Sequence, residues 1–316
     1  MRVLIIGTGA IGSLLGVRFI EGGDEVYFCD LKVNLLEKIM SRGLVVQELT
    51  GEERVFFPAG TCADPADLNK PCDLFLFAVK SYSTEVAARR AVQSPALTDN
   101  TIILTLQNGL GNAEILAEVF GAKRLVVGTT AQGATLLDLG KIRHGGSGPT
   151  FVGIWDRNND EQAEHILNPV LELFNRAGLE IHVKEDVKAL LWDKLLVNVG
   201  INAITALTGI LNHGIHDYEP ARAVSLKAVG EAVQVARKLG ISVRENIEEH
   251  VLKVALATGR NRSSMGQDVD RKHRTEIDAI NGAIVRLGAE LGIPTPVNWT
   301  LTQLVKTVEL AQIYHF

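Results

Sequence analysis

Lys194, Asn198 and Asn202 recur at i, i+4 and i+8 within an otherwise apolar run from Ala189 to Asn202. A helix there stacks all three on one face. A helix that is apolar on nearly every side belongs in a core. Asparagine is a poor helix former, and burying it without partners costs about 1–3 kcal/mol. A buried lysine costs more unless it is paired. Such a stripe is either a structural polar network between helices or the lining of a polar cleft against a neighbouring domain. A second polar cluster is Arg262-Ser263-Ser264-Met265-Gly266-Gln267-Asp268. Ser264-x-x-Gln267 has the form of a capping box, so Ser264 is read as starting a helix. A helix start also offers N–H donors that suit a carboxylate. Glu276 follows a basic run from Arg271 to Arg274, and its plain reading is a solvated ion pair.

A different chemistry stands at the start of the chain. Val3-Leu4-Ile5-Ile6 has the look of a buried strand, Gly7-Thr8-Gly9-Ala10-Ile11-Gly12 reads G-x-G-x-x-G, and Ser13 to Ile20 has helical apolar spacing. Strand, glycine turn and helix together predict a dinucleotide site rather than a plain turn. The glycines allow a tight turn, close approach to a pyrophosphate, and tight helix–strand packing. Asp30 lies eighteen residues beyond Gly12, near where such folds place the acid that holds ribose hydroxyls. Otherwise it is a solvated loop aspartate. Lys80 closes the apolar run from Asp73, and Asn108 stands in Gln107-Asn108-Gly109 after the run from Thr101. Ligands of parallel sheets bind at such strand ends, although Asn-Gly is also an ordinary turn signal. His144, in a glycine-punctuated hairpin, is read as exposed or satisfied rather than as a site residue.

These residues need elements to hold them. Strand and helix signals alternate up to Leu179–Val183, with a small hairpin over Leu44–Phe57 and an antiparallel extension of the sheet between Gly133 and Trp155. Beyond about residue 186 strand signals vanish. Helical spacing covers Glu185–Leu211, Arg222–Leu239, Ile247–Ala257, Gln267–Leu291 and Val297–Ala311. The expected fold is α/β: a Rossmann-type doubly wound sheet with an antiparallel extension over residues 1–186, then an all-helical domain over 187–316 that binds substrate. At 46% hydrophobic and 22% charged, the chain has the composition of a globular protein with a sizeable core. A net charge of −5 gives no electrostatic footprint for nucleic acid. The longest apolar stretches fall short of a membrane span. The chain enters its first strand without a charged leader, and Cys29, Cys62 and Cys72 form no C-x-x-C pair. The expectation is a cytoplasmic protein with buried thiols and no metal.

Along essentially its whole length the chain resembles the ketopantoate reductase (2-dehydropantoate 2-reductase) family. The resemblance is carried by Gly7-x-Gly9-x-x-Gly12, Lys80, Leu106-Gln107-Asn108-Gly109 and Trp192-x-Lys194-Leu195-x-Val197-Asn198-x-x-Ile201-Asn202. It extends through Ser263-Ser264-Met265-x-Gln267-Asp268 and Thr275-Glu276-Ile277-Asp278-x-Ile280-Asn281-Gly282. It implies reduction of ketopantoate to pantoate on the route to pantothenate and coenzyme A. It implies Lys194 as general acid and Glu276 as a substrate-orienting carboxylate. Asn108, Asn198, Asn202, Ser264 and Asp268 are then binding groups, and Lys80 lies close to cofactor and substrate. The implied partner is a small 2-keto acid, with no nucleic acid or membrane and with a homodimer left open.

The chemistry fits those residue types. Hydride attack on a ketone places negative charge on oxygen, and a positioned acid must supply a proton as it develops. Desolvation lowers the pKa of a buried lysine and makes it a better donor near neutral pH. The hydride comes from a nicotinamide, so no metal is needed. The family implies NADPH and commonly places an arginine after the second strand. Here that segment reads Cys29-Asp30-Leu31-Lys32. Asp30 favours the free ribose hydroxyls of NADH, and Lys32 is the nearest cation for a 2′-phosphate; NADPH is placed first, with Lys32 closing over that phosphate, and NADH is the alternative. Two further functions are weighed: a reductase of another short 2-keto acid on the same scaffold, and a non-catalytic cofactor sensor. Retention of Lys194, Asn108 and Glu276 together speaks against the sensor.

Overall fold

The computed structural model describes residues 1–156 and 160–314. Short apolar runs form the strands β1 (Arg2–Ile6), β2 (Glu25–Cys29), β3 (Leu44–Gln47), β4 (Glu53–Phe56), β5 (Gly60–Cys62), β6 (Leu74–Phe77), β7 (Ile102–Thr105), β8 (Leu125–Thr130), β9 (Gly133–Asp138), β10 (Lys141–Gly146), β11 (Thr150–Ile154) and β12 (Ile181–Val183). The helices are α1 (Ala10–Glu21), α2 (Val33–Arg42), α3 (Thr84–Ala91), α4 (Asn112–Phe120), α5 (Asp160–Arg176), α6 (Val187–Thr208), α7 (Gly214–Asp217), α8 (Glu219–Lys238), α9 (Ile247–Ala257), α10 (Ser264–Asp270), α11 (Asn281–Leu291) and α12 (Pro296–Tyr314). Contacts divide the chain into two units. One comprises Met1–Gln107 with Asn112–Val187, and the other comprises the loop Asn108–Gly111 with the chain from Lys188 onward.

The first unit is built on an eight-stranded sheet in the order β12-β11-β8-β7-β6-β1-β2-β5. From β5 to β8 every pairing is parallel. Leu4 and Ile5 of β1 and Phe75 and Leu76 of β6 are fully buried, as expected of parallel strands covered on both faces. The antiparallel extension is β11, which pairs with β8. β9 and β10 do not continue it. They join the β3–β4 hairpin in a separate four-stranded sheet, with β10 parallel to β3.

In the second unit, helices α6, α8, α9, α11 and α12 share one core, in which Val199, Ala228, Val229, Val251, Ile284 and Val305 are fully buried. α6 is 22 residues long and apolar enough to pass for a membrane span, but 61% of its most apolar window is buried inside the protein. The single helix expected over Gln267–Leu291 is broken. α10 ends at Asp270, Lys272 takes a left-handed backbone (φ 57°), and a 3-10 turn over Ile277–Ala279 precedes α11. The i, i+3, i+4 apolar spacing runs through this break because all three pieces bury residues in the same core. The break takes Glu276 off a helix face and puts it on a turn.

Candidate functional site

In the first unit, Gly7 adopts φ +103°, and a Cβ there would lie 2.6 Å from Val79 N. A Cβ at Gly12 would lie 2.1 Å from Gly7 O. The turn therefore needs glycine at both positions for backbone packing alone. Gly9 differs: it is exposed, and a Cβ there meets nothing within 4 Å. It leads into α1, which has no side-chain cap, so the first-turn N–H groups are available to an anion. Beside this open cradle the buried Thr8 Oγ1 has no hydrogen-bond partner. Ala10 and Ile11 are half-buried in the first turn.

Asp30 follows β2 and is tied to the glycine turn. Its Oδ2 accepts the Thr8 N–H at 2.9 Å, and its Oδ1 accepts the Lys32 N–H at 3.0 Å. It is a half-buried, anchored carboxylate and not a solvated loop residue. A carboxylate has about four acceptor positions, so about two remain for ribose hydroxyls. The open cradle, the orphan hydroxyl and this carboxylate fit a dinucleotide. The Lys32 side chain is exposed.

Lys80 stands half-buried at the end of β6, before a 3-10 turn over Ser81–Ser83. Gln107 organises this strand end. Its Nε2 donates to Val79 O at 2.7 Å and to Thr84 Oγ1 at 2.8 Å, and Thr84 Oγ1 donates to Asn112 Oδ1 at 2.8 Å. The signal for it was the strand-end Gln-Asn-Gly itself. His144 is buried among Arg18, Glu48 and Ser147 within 3.3 Å, a satisfied structural histidine.

In the second unit, Lys194, Asn198 and Asn202 all lie on α6. Lys194 is half-buried, and burial lowers its pKa from 10.5 to about 8, against the opposing pull of the Glu276 carboxylate. The Nδ2 atoms of Asn198 and Asn202 are buried without a hydrogen-bond partner. A purely structural network would have satisfied them, so the stripe offers two donors and a cation to a ligand. Glu276 is 7% exposed, which replaces the solvated ion pair expected from the basic run. Its turn is held by the Thr275 hydroxyl, which accepts the Ile277 N–H, and by Glu309 of α12, which accepts the Thr275 N–H. Asn281 Nδ2 donates to Asn298 Oδ1 at 3.0 Å and, at 3.5 Å, to the carbonyl of Val199 beside Asn198. Asn108 lies in the loop whose Leu110 N–H donates to Ala279 O at 2.9 Å, just after Glu276.

The start of α10 falls one residue earlier than the capping-box pattern indicates. Ser263 is the N-cap, its Oγ accepting the Gly266 N–H at 3.0 Å. Ser264 is the first helical residue and exposed, and Asp268 is buried one turn further on. Adjacent serines present the same local pattern. Thr205, which bonds Ser263 from α6, is the non-local partner that selects between them.

Comparison with known proteins follows the same division. A family profile described as Ketopantoate reductase PanE/ApbA matches residues 3–157, and its C-terminal counterpart matches residues 186–309. A 2-dehydropantoate 2-reductase of Halobacterium salinarum is 37% identical over 309 residues, covering 98% of this chain and 99% of that one. The crystal structure of a PanE/ApbA family ketopantoate reductase from Ralstonia eutropha is 30% identical with a TM-score of 0.87, covering 99% of this chain and all of that one. D-mandelate dehydrogenase, in its ternary structure with NADH and anilino(oxo)acetate, shares the fold at a TM-score of 0.91 and 24% identity over 99% of this chain and 100% of that one.

Proposed function

The chain belongs to the ketopantoate reductase family, and we propose that it reduces ketopantoate to pantoate with a reduced nicotinamide dinucleotide. The observation that carries this reading is the α6 face: an ammonium with a pKa brought to about 8, beside two buried amides with unused donors. The nicotinamide, when bound, supplies the hydride. Lys194 Nζ supplies the proton to the carbonyl oxygen as charge develops there. Its lowered pKa keeps it mostly protonated at neutral pH and loosens its hold on that proton. Asn198 and Asn202 donate to the substrate's oxygens without adding a charge that competes with the lysine, and Glu276 orients the substrate. A rate comparison over ketopantoate and other short 2-keto acids tests the reading. No reduction of any, or faster turnover of another acid than of ketopantoate, overturns it.

Ser264 and Glu276 are assigned to binding, so their truncation raises KM for the keto acid while leaving dinucleotide affinity unchanged. Because Ser263 holds the cap, Ser264→Ala leaves stability within about 0.5 kcal/mol of wild type. Thermal unfolding measured beside steady-state kinetics checks both. A lowered Tm with unchanged KM would remove Ser264 from the site.

Asp30 bears on which dinucleotide is used. The family resemblance implies NADPH, with Lys32 as the cation for the 2′-phosphate. The anchored Asp30 favours NADH, because its backbone bonds hold a carboxylate beside the glycine turn, and a carboxylate that accepts from ribose hydroxyls would repel a 2′-phosphate. We therefore place NADH ahead of NADPH. Asp30→Asn keeps an acceptor for one backbone N–H and removes the charge, whereas Asp30→Ala strips both bonds. Asp30→Asn is expected to raise the NADPH:NADH ratio of kcat/KM by about tenfold, on the scale of one removed charge repulsion. The change comes mainly through the cofactor KM. An unchanged ratio returns Asp30 to a purely structural role.

A further inference from the structure

Two helices supply four of the groups assigned to the keto acid, Asn198 and Asn202 on α6 and Ser264 and Asp268 on α10. Nothing in either helix alone sets the distance between them. Just past Asn202 on α6, the buried Thr205 hydroxyl donates to Ser263 Oγ at 2.7 Å. Ser263, 5% exposed, also receives the Gly266 N–H that starts α10. The residue before it works in the opposite direction. Arg262 donates to Thr205 O and Ile210 O beyond the functional face of α6, and grips Asp270, the last residue of α10, through Nε and Nη2 at 2.9 Å each. A Cβ on Gly266 would lie 2.6 Å from Arg262 Cζ, so the guanidinium packs directly on the first turn of α10. Adjacent residues thus close the C-terminal end of one helix and the N-terminal end of the other.

We propose that Ser263, held by Thr205, is a positioning residue for the keto-acid site: it fixes the start of α10, with Ser264 and Asp268, relative to Asn198 and Asn202. The proposal rests on the reductase reading above. A hydroxyl pair is suited to the task because its short, directional bond tolerates little displacement, and displaced binding groups lose ground-state and transition-state contacts alike, which raises KM at unchanged kcat. Ser263 itself touches no substrate in this scheme.

The test compares Ser263→Ala, Thr205→Val and the conservative Ser263→Thr and Thr205→Ser, with ketopantoate and the reduced dinucleotide as probes. Loss of either hydroxyl is expected to raise the ketopantoate KM roughly tenfold, with kcat at saturation and dinucleotide Kd unchanged. The double variant should do no more harm than one single, because both break the same link. The conservative variants should restore KM. A lowered Tm with wild-type KM means Ser263 is a cap only and overturns the proposal. If an alanine or valine variant does not fold, Ser263→Gly carries the test, because glycine is tolerated at an N-cap and still removes the hydroxyl, and a wild-type KM in that variant overturns the proposal. Failure of the wild type to reduce any 2-keto acid overturns the reductase reading and this proposal together, whereas wild-type reduction with an unmoved KM overturns the proposal alone.

Discussion

Lys194→Ala is expected to lower kcat for keto-acid reduction by roughly 10²–10⁴, the range for losing a general acid, with dinucleotide affinity unchanged. Lys194→Arg separates charge from proton donation. A guanidinium keeps the positive charge but holds its proton far too tightly to release it, so this variant should recover binding of the keto acid and little of kcat. Wild-type kcat/KM should also carry the signature of this lysine. Only the protonated form donates, so activity holds on the acid side and declines as pH rises through about 8, the value to which burial brings the group. An ordinary lysine, at 10.5, would place that decline about two and a half pH units higher. A kcat/KM profile measured from about pH 6 to pH 10 resolves the difference. Wild-type turnover in a folded Lys194→Ala protein, or a decline only at the ordinary lysine value, would take the general-acid role away from Lys194.

The α6 face was legible in the sequence because i, i+4, i+8 spacing is a local property of a helix, and three polar residues in an apolar run break its pattern. The glycine turn was legible for the same reason, since strand, turn and helix are contiguous. What escaped was decided by partners far along the chain. Ser263 and Ser264 are equivalent as local capping signals, and Thr205 on α6 selects between them. Glu276 looked solvated because its sequence neighbours are basic. It is buried because the left-handed Lys272 breaks the helix and the following turn folds into the core. The β9–β10 hairpin has the alternation of a sheet extension, and only its parallel pairing with β3, nearly a hundred residues earlier, puts it in another sheet. Asp30 stood at the expected position, but its attachment to Thr8 N–H depends on how the turn bends.

The glycines of the first turn make opposite predictions when each is changed to alanine. Gly9 has φ −75° and ψ −170°, an extended backbone that alanine adopts freely, and its Cβ would stand in open space. Gly9→Ala should therefore leave the fold intact, and restricting the unfolded chain should add about 0.4–1 kcal/mol of stability. The added methyl fills the space through which a pyrophosphate reaches the first N–H groups of α1. Losing one such charge-assisted bond, worth about 1.5–3 kcal/mol, weakens dinucleotide binding roughly ten- to hundredfold. Gly12→Ala acts first on the fold. Its Cβ would lie 2.1 Å from Gly7 O, 3.0 Å from Ala78 Cβ and 3.2 Å from Ile5 Cγ2, so α1 must move away from β1. Overpacking of this kind costs about 1–3 kcal/mol, which lowers Tm by about 2–4 °C for each kcal/mol in a unit of this size. Binding falls with it, because the helix start has moved. Calorimetry beside fluorescence titration with NADH reads both quantities. The site assignment requires them to separate at Gly9, with Tm kept and affinity lost. A Gly9→Ala protein that binds NADH as the wild type does would make the turn a chain reversal with no pyrophosphate in it, whatever Gly12→Ala does to stability.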